Sequence, residues 1–400
     1  MEAQLSNYNI KKKDILEIIC YGATFVLILL SFVYKNERLI LYSFEFCYII
    51  LIGFISMKKN RKIGMYALWS AIFFTICLLS CTYAVNQEAA AMQTINVLKI
   101  LLIGNSLVLF INNDEKKLNF VLISIIISAL YTTVLLIIYT PINYWGSARL
   151  GESIGLNAND LALKMTISSL IIIYFGKKNK KTSYFILGAI FLLITFLTGS
   201  RKAFLMFLMG LIFLTFLTIK KRRRIFIVLP IMIFIIYLLW NITMTNPVLY
   251  SLLGIRIEGL INAFLGQGAV DESTLVRMKM IENGMQLFIE KPFLGYGIDN
   301  FVSVSSFSVY SHNNYIELLV GMGIFGTLVY YSLYLGIIYK LFRSLKNNSY
   351  AAIFISLIIG LAVMEYGLVT YYIEIYQILI ACAYSASIIN TNNTRTYLKK

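Results

Sequence analysis

Apolar runs of about 20 residues recur along this chain, and no other property restricts its fold so tightly. Such a run crosses a hydrocarbon layer only with its backbone N–H and C=O groups paired internally, which makes each one a helix. We count twelve: 15–34, 39–57, 64–84, 95–112, 118–139, 158–175, 183–198, 202–219, 225–244, 313–339, 350–368 and 371–389. With 59% hydrophobic and 14% charged residues and a mean hydropathy of +0.77, a water-soluble domain has too little polar surface to hide the rest. The expected fold is an all-α multi-pass integral membrane protein with about 12 transmembrane helices in one membrane domain. Residues 1–244 carry helices one to nine, 245–312 form a long loop, and 313–400 carry the last three helices and a tail.

The net charge of +16 would suggest nucleic acid in a soluble protein. Here it marks orientation, because Lys and Arg collect in cytoplasmic loops. With the N-terminus inside, 24 of the 35 basic residues fall on the cytoplasmic side and nine outside. Both termini are therefore expected in the cytoplasm and the 245–312 loop outside. Nucleic acid is not an expected partner. The five cysteines all lie within apolar runs and read as packing residues.

The outside cations need a reason other than orientation. Arg149 lies in Gly146-Ser-Ala-Arg-Leu-Gly-Glu, before the sixth run, and Arg201 lies in the tight hairpin Thr198-Gly-Ser-Arg-Lys. Arg277 lies in the long loop, on a stretch from Asp271 to Glu290 that reads as a helix. Leu275, Met278, Ile281, Met285 and Phe288 form its apolar stripe, and Pro292 stops it. Singly, each arginine reads equally well as a solvated loop charge. Three on one side suggest an anion, since a guanidinium fork suits phosphate. His312, the only histidine, precedes the tenth run; a lone histidine is usually structural, but a neutral imidazole there suits proton removal from a hydroxyl.

Asn157 and Asn159 sit where the sixth helix starts; capping explains them, and an amide can also orient a sugar. Asn313 is placed to cap the tenth helix, and Glu317 to orient its first turn. Asp160 and Lys164 are one helical turn apart and read as a pair. Gly321, Gly323 and Gly326 read as close helix packing. They lack the Lys-Ser/Thr of a phosphate loop. No Asp-x-Asp lies on the outer side, which argues against metal-dependent glycosyl transfer.

Three segments together resemble the bacterial O-antigen ligase and polysaccharide polymerase superfamily. They are Thr198-Gly-Ser-Arg-Lys-Ala; Arg277 followed by Lys291-Pro-Phe-Leu-Gly-Tyr-Gly-Ile-Asp-Asn-Phe301; and Ser311-His-Asn-Asn-Tyr-Ile-Glu-Leu-Leu-Val-Gly-Met-Gly-Ile-Phe-Gly326. The resemblance implies a GT-C-like membrane glycosyltransferase that needs no metal or other cofactor. Its donor would be a glycan on undecaprenyl diphosphate, and its acceptor a glycan or glycolipid, at the outer face of the cytoplasmic (inner) membrane. Carried over, Arg201 and Arg277 bind the leaving diphosphate with help from Arg149, and His312 is the base. Asn159, Asn313 and Glu317 would position substrate. Flippase and chain-length-regulator proteins would be partners, alongside membrane lipid. The reaction expected is polymerisation of capsule, exopolysaccharide or O-antigen repeat units. The alternatives are ligation of finished glycan to lipid A core and, in another class, transport of lipid-linked oligosaccharide.

Overall fold

The structure is a computed structural model that describes residues 2–33, 38–59, 64–219, 223, 225–265 and 272–389. Asp271 (the expected start of the 271–290 helix), the cations at 220–222 and 224, and the tail from 390 lie outside the described residues. A helix lies over each of the twelve apolar stretches. The first nine are α1 (Glu2–Val33), α2 (Arg38–Lys58), α3 (Met65–Tyr83), α4 (Gln87–Ile111), α5 (Glu115–Tyr139), α6 (Ala158–Asn179), α7 (Ser183–Leu197), α8 (Arg201–Thr218) and α9 (Ile225–Thr245). Short α10 (Pro247–Leu249) and a π-turn lead into α11 (Ile255–Leu265), followed by α12 (Glu272–Glu290) and α13 (Phe301–Val304). The chain ends with α14 (Asn314–Ser344), α15 (Ala351–Glu365) and α16 (Glu374–Ile388).

Among the described residues, eight helices are long and apolar enough to cross a membrane, and α7, α15 and α16 are shorter apolar helices. At 15 residues each, these three rise only about 22 Å, less than a hydrocarbon core of roughly 30 Å. The last apolar run is thus two helices, joined by a segment whose Val369, Thr370 and Tyr371 are buried.

Local chemistry sets the helix ends. Asn86, Asp114, Asn157 and Asn313 each accept a backbone N–H of the turn they open. Asn112 and Lys180 close α4 and α6 in the left-handed conformation. Packing then sorts the faces. α6 is buried nearly all round, against α7 and α8, while α2 presents Phe46, Ile50, Phe54 and Met57 to the surroundings. An outward apolar face of that kind is what lipid, rather than water, tolerates. Inside, Lys164 Nζ meets Asp160 Oδ2 at 2.9 Å and the Phe32 carbonyl at 3.0 Å, so the expected pair exists, buried rather than on a surface.

In the 245–344 region one expectation is sharpened and one is corrected. α12 packs through Met280, Gly284 and Leu287, with Ile281 of the apolar stripe partly buried against them, whereas Leu275, Met278 and Met285 stay exposed. Gly284 governs this: a Cβ there would lie 2.3 Å from Ile316 Cγ2, so the glycine lets α12 approach α14 closely. The Gly321–Gly326 set does not serve a helix crossing. Gly323 adopts φ 59° and ψ −166°, breaking α14, and the 292–297 segment docks on the break. Tyr296 N donates to Val320 O (2.8 Å), Gly297 N to Gly321 O (2.8 Å) and Ile324 N to Pro292 O (2.8 Å). The Pro-x-x-Gly-x-Gly and Gly-x-Gly stretches are therefore two halves of one backbone junction.

Candidate functional site

The site gathers at the end of the bundle where α6, α8 and α14 begin. α8 starts straight after the hairpin at Gly199, whose φ of +63° turns the chain. A Cβ on Gly199 would meet the Leu252 carbonyl at 2.7 Å, so the π-turn following α10 lies directly on the hairpin. The side chain of Arg201 is buried there. Its Nη1 donates to the Arg256 carbonyl (2.6 Å) and to Thr274 Oγ1 (3.1 Å), and its Nη2 to Ser273 Oγ (3.4 Å). One guanidinium thus ties the hairpin to α11 and α12.

Arg149 approaches the same hairpin from the segment before α6. Its Nε donates to the Thr198 carbonyl (2.8 Å) and its Nη2 to Asn159 Oδ1 (3.1 Å), which also accepts Ser200 Oγ (3.0 Å). Burial, then the fields of Arg256 and Arg277, pull the Arg149 guanidinium below its ordinary value. Arg256 Nη1 lies 3.4 Å from the Gly199 carbonyl, to which it donates. Lys202 Nζ donates to the Gly367 carbonyl, and its stem fills the space a Cβ on Gly367 would need. The segment between α15 and α16 is so brought against α8.

That segment is also pinned to α14. Asn314 Oδ1 accepts the amides of Thr370 (2.8 Å) and Tyr371 (3.1 Å), while Glu365 accepts Thr370 Oγ1 (2.7 Å) and Tyr331 Oη (2.8 Å). His312 stands just ahead of Asn314, half-buried, with a left-handed φ of +56°. Its neighbours hold it: Asn313 Oδ1 caps α14 by accepting from Tyr315 N and Ile316 N, and Ser311 bonds Glu317. The Tyr310 ring lies 4.2 Å from the imidazole, centroid to centroid. Burial, then Arg277 and Lys202, lower the His312 pKa from 6.5 to about 4, which keeps the ring neutral near pH 7. Asp299, also in a left-handed conformation (φ 58°), sits among buried neighbours, and burial raises its carboxyl to about 6.

The expected residues therefore fall into two groups. Arg149, Asn159 and Arg201 meet at the 198–201 hairpin, and Arg277 lies within the electrostatic reach of Arg149 and of His312. Asn313 and Glu317 turn inward to the backbone around His312, as cap and as anchor of the preceding turn. Sequence reading missed Lys202, Arg256, Tyr310 and Asp299 as site residues. Lys202 and Arg256 carried a visible signal, as cations on the side where orientation does not call for them. Tyr310 and Asp299 carried none, because their importance comes from what surrounds them. Together the cations can hold an anion whose charge is spread over several oxygens, beside a neutral base.

A family model described as O-Antigen ligase matches residues 185–331. That range runs from α7 to the middle of α14 and takes in Arg201, Arg277 and His312; Arg149 and Asn159 precede it. Comparison of the chain with curated proteins finds no match.

Proposed function

We propose, from the premise that this chain is a member of the O-antigen ligase family, that it is a polymerase of lipid-linked glycan repeat units. Membership supports a membrane glycosyltransferase acting on a lipid-linked donor and a glycan acceptor. The finer reading is that undecaprenyl-diphosphate-linked repeat units of a capsule, exopolysaccharide or O-antigen are joined at the outer face of the cytoplasmic membrane. The observation that carries it is that Arg149 and Arg201 meet at the 198–201 hairpin, with Arg277 in electrostatic reach of both Arg149 and the neutral imidazole of His312.

In this reading an acceptor hydroxyl gives its proton to His312 as its oxygen attacks the anomeric carbon of the donor. The bond from that carbon to the diphosphate oxygen breaks, and undecaprenyl diphosphate leaves with the electron pair. Charge builds on the leaving diphosphate, where pre-placed guanidinium groups stabilise it without reorganising. Arg277 serves twice, as an anion ligand and, after burial, as a field that disfavours the His312 imidazolium. The cations supply the charge stabilisation that a metal would otherwise give, so the proposed reaction needs none.

Deleting the gene and running the cell's glycans on a gel tests this. Single repeat units on their carrier or core support the polymerase. Full-length polymer stranded on undecaprenyl diphosphate would assign a ligase, and loss of outward movement of the lipid-linked unit would assign a transporter.

A further inference from the structure

A cavity lies at the other end of the bundle. α4 is 25 residues long, roughly 37 Å, and its first turn is joined to the site side through Asn86 N and Asn300 Oδ1 (2.6 Å). Its last turn, at Phe110, lines a cleft of about 370 Å³ with Leu16, Glu17 and Cys20 of α1, Ile52 and Ile55 of α2, and Lys58, Lys59 and Lys117. The end is the same one at which Glu115 meets Lys178 (3.6 Å), where α5 begins and α6 finishes.

The cleft has two chemistries. Its lining is apolar at Leu16, Cys20, Ile52, Ile55 and Phe110 and charged at Lys117, Glu17 and, on the exposed side that forms its mouth, Lys58 and Lys59. Lys117 is largely buried, with Nζ 3.2 Å from Glu17 Oε1 and 5.4 Å from the Phe110 ring centre. Lys58 and Lys59 are exposed at the end of α2, and Lys58 Nζ lies 5.3 Å from the Phe54 ring centre. Glu17 offsets one cation, which leaves the mouth positive. Lysines at helix ends also serve orientation, but that role requires neither a cavity nor apolar walls beneath them. Charge at the mouth over a greasy interior fits an amphiphile with an anionic head, and basic pockets between spanning helices suit such head groups.

We propose that this cleft binds one anionic phospholipid, its phosphate at Lys58, Lys59 and Lys117 and its acyl chains along Leu16, Ile52 and Ile55. The inference stands apart from the glycan chemistry, because the cleft and the His312 site occupy opposite ends of the bundle.

The test uses the full chain in phosphatidylcholine vesicles, with spin-labelled phosphatidylglycerol as the probe. The expected result is a motionally restricted phosphatidylglycerol component well above that of spin-labelled phosphatidylcholine. Lys58→Gln/Lys59→Gln should lower this preference by up to about 30-fold, and Lys58→Arg/Lys59→Arg should keep it. Glu17→Gln should strengthen it. Ile55→Trp, which fills the cleft without changing charge, should remove it. Equal association of both lipids with the wild-type chain would overturn the proposal. So would an unchanged preference in the double glutamine variant, or displacement of the probe by millimolar glycerol phosphate, which would make this a site for small soluble anions.

Discussion

Glu317 Oε2 accepts two hydrogen bonds from Ser311, one from its hydroxyl at 2.6 Å and one from its amide at 3.0 Å. The first turn of α14 so holds the residue next to His312 in place, and with it the left-handed turn that presents the imidazole. Glu317 is itself buried, which suits an anchor rather than a group that meets substrate.

Replacing this anchor separates positioning from packing. Glu317→Ala leaves the Ser311 amide without its acceptor, at a cost of about 1–3 kcal/mol, while the hydroxyl can keep the Asn313 carbonyl (2.9 Å), and should lower glycan transfer at least tenfold. Glu317→Gln keeps an acceptor oxygen and should retain most of the rate. Transfer assays and thermal unfolding of the purified variants check this. Wild-type transfer in Glu317→Ala would show that the turn needs no such support.

The pH profile distinguishes two groups. A base works when unprotonated, and His312 loses its proton above about 4. Transfer limited by His312 should therefore be level from pH 5 to 8 and fall only as pH drops through about 4. Arg277→Gln removes part of the field that disfavours the imidazolium, so this limb should move up toward 6.5. A limb near 6 that disappears in Asp299→Asn would instead assign the control to Asp299, whose carboxyl burial raises to that range.

Arg201 tests whether fork geometry matters or only charge. Its two terminal nitrogens reach the Arg256 carbonyl and the hydroxyls of Ser273 and Thr274 together. A lysine has one nitrogen and cannot span them. Arg201→Lys should lower transfer by about 100-fold while the chain still inserts in the membrane, and limited proteolysis should cut the 255–290 region faster. Wild-type transfer in this variant would reduce Arg201 to a point charge.

Gly323→Ala probes the junction beneath the site. Its backbone (φ 59°, ψ −166°) lies in a region that essentially only glycine occupies, and a Cβ would stand 2.2 Å from the Phe293 carbonyl. The variant should lose at least about 1–3 kcal/mol of stability from backbone strain alone, seen as a lower unfolding temperature in detergent. Gly336→Ala, where a Cβ meets nothing within 4 Å, is the matched control and should unfold like the wild type.

Much of the helical layout was legible because it follows from local rules. An apolar run of sufficient length has one solution in lipid, and the residues at its ends, such as Asn157 and Asn313, state where it starts. Arg149, Arg201 and Arg277 stood out because a cation on a side where orientation does not require it needs some other partner. The packed face of α12 was not legible. Periodicity marks Leu275, Met278 and Met285 as apolar, yet the small side of the helix at Gly284 is the one that fits against Ile316.

By itself the sequence determined the fold class, the run of helices, and which residues are candidates for charge and proton chemistry, since these depend on hydropathy, capping and side-chain type along one stretch at a time. Only the tertiary structure decided which of those residues meet. Lys202 reaches Gly367 across 165 positions, and the 292–297 segment inserts its backbone at the Gly323 break. Contacts between distant segments depend on how closely two backbones can approach, and a glycine's room for approach exists only once its neighbour is in place.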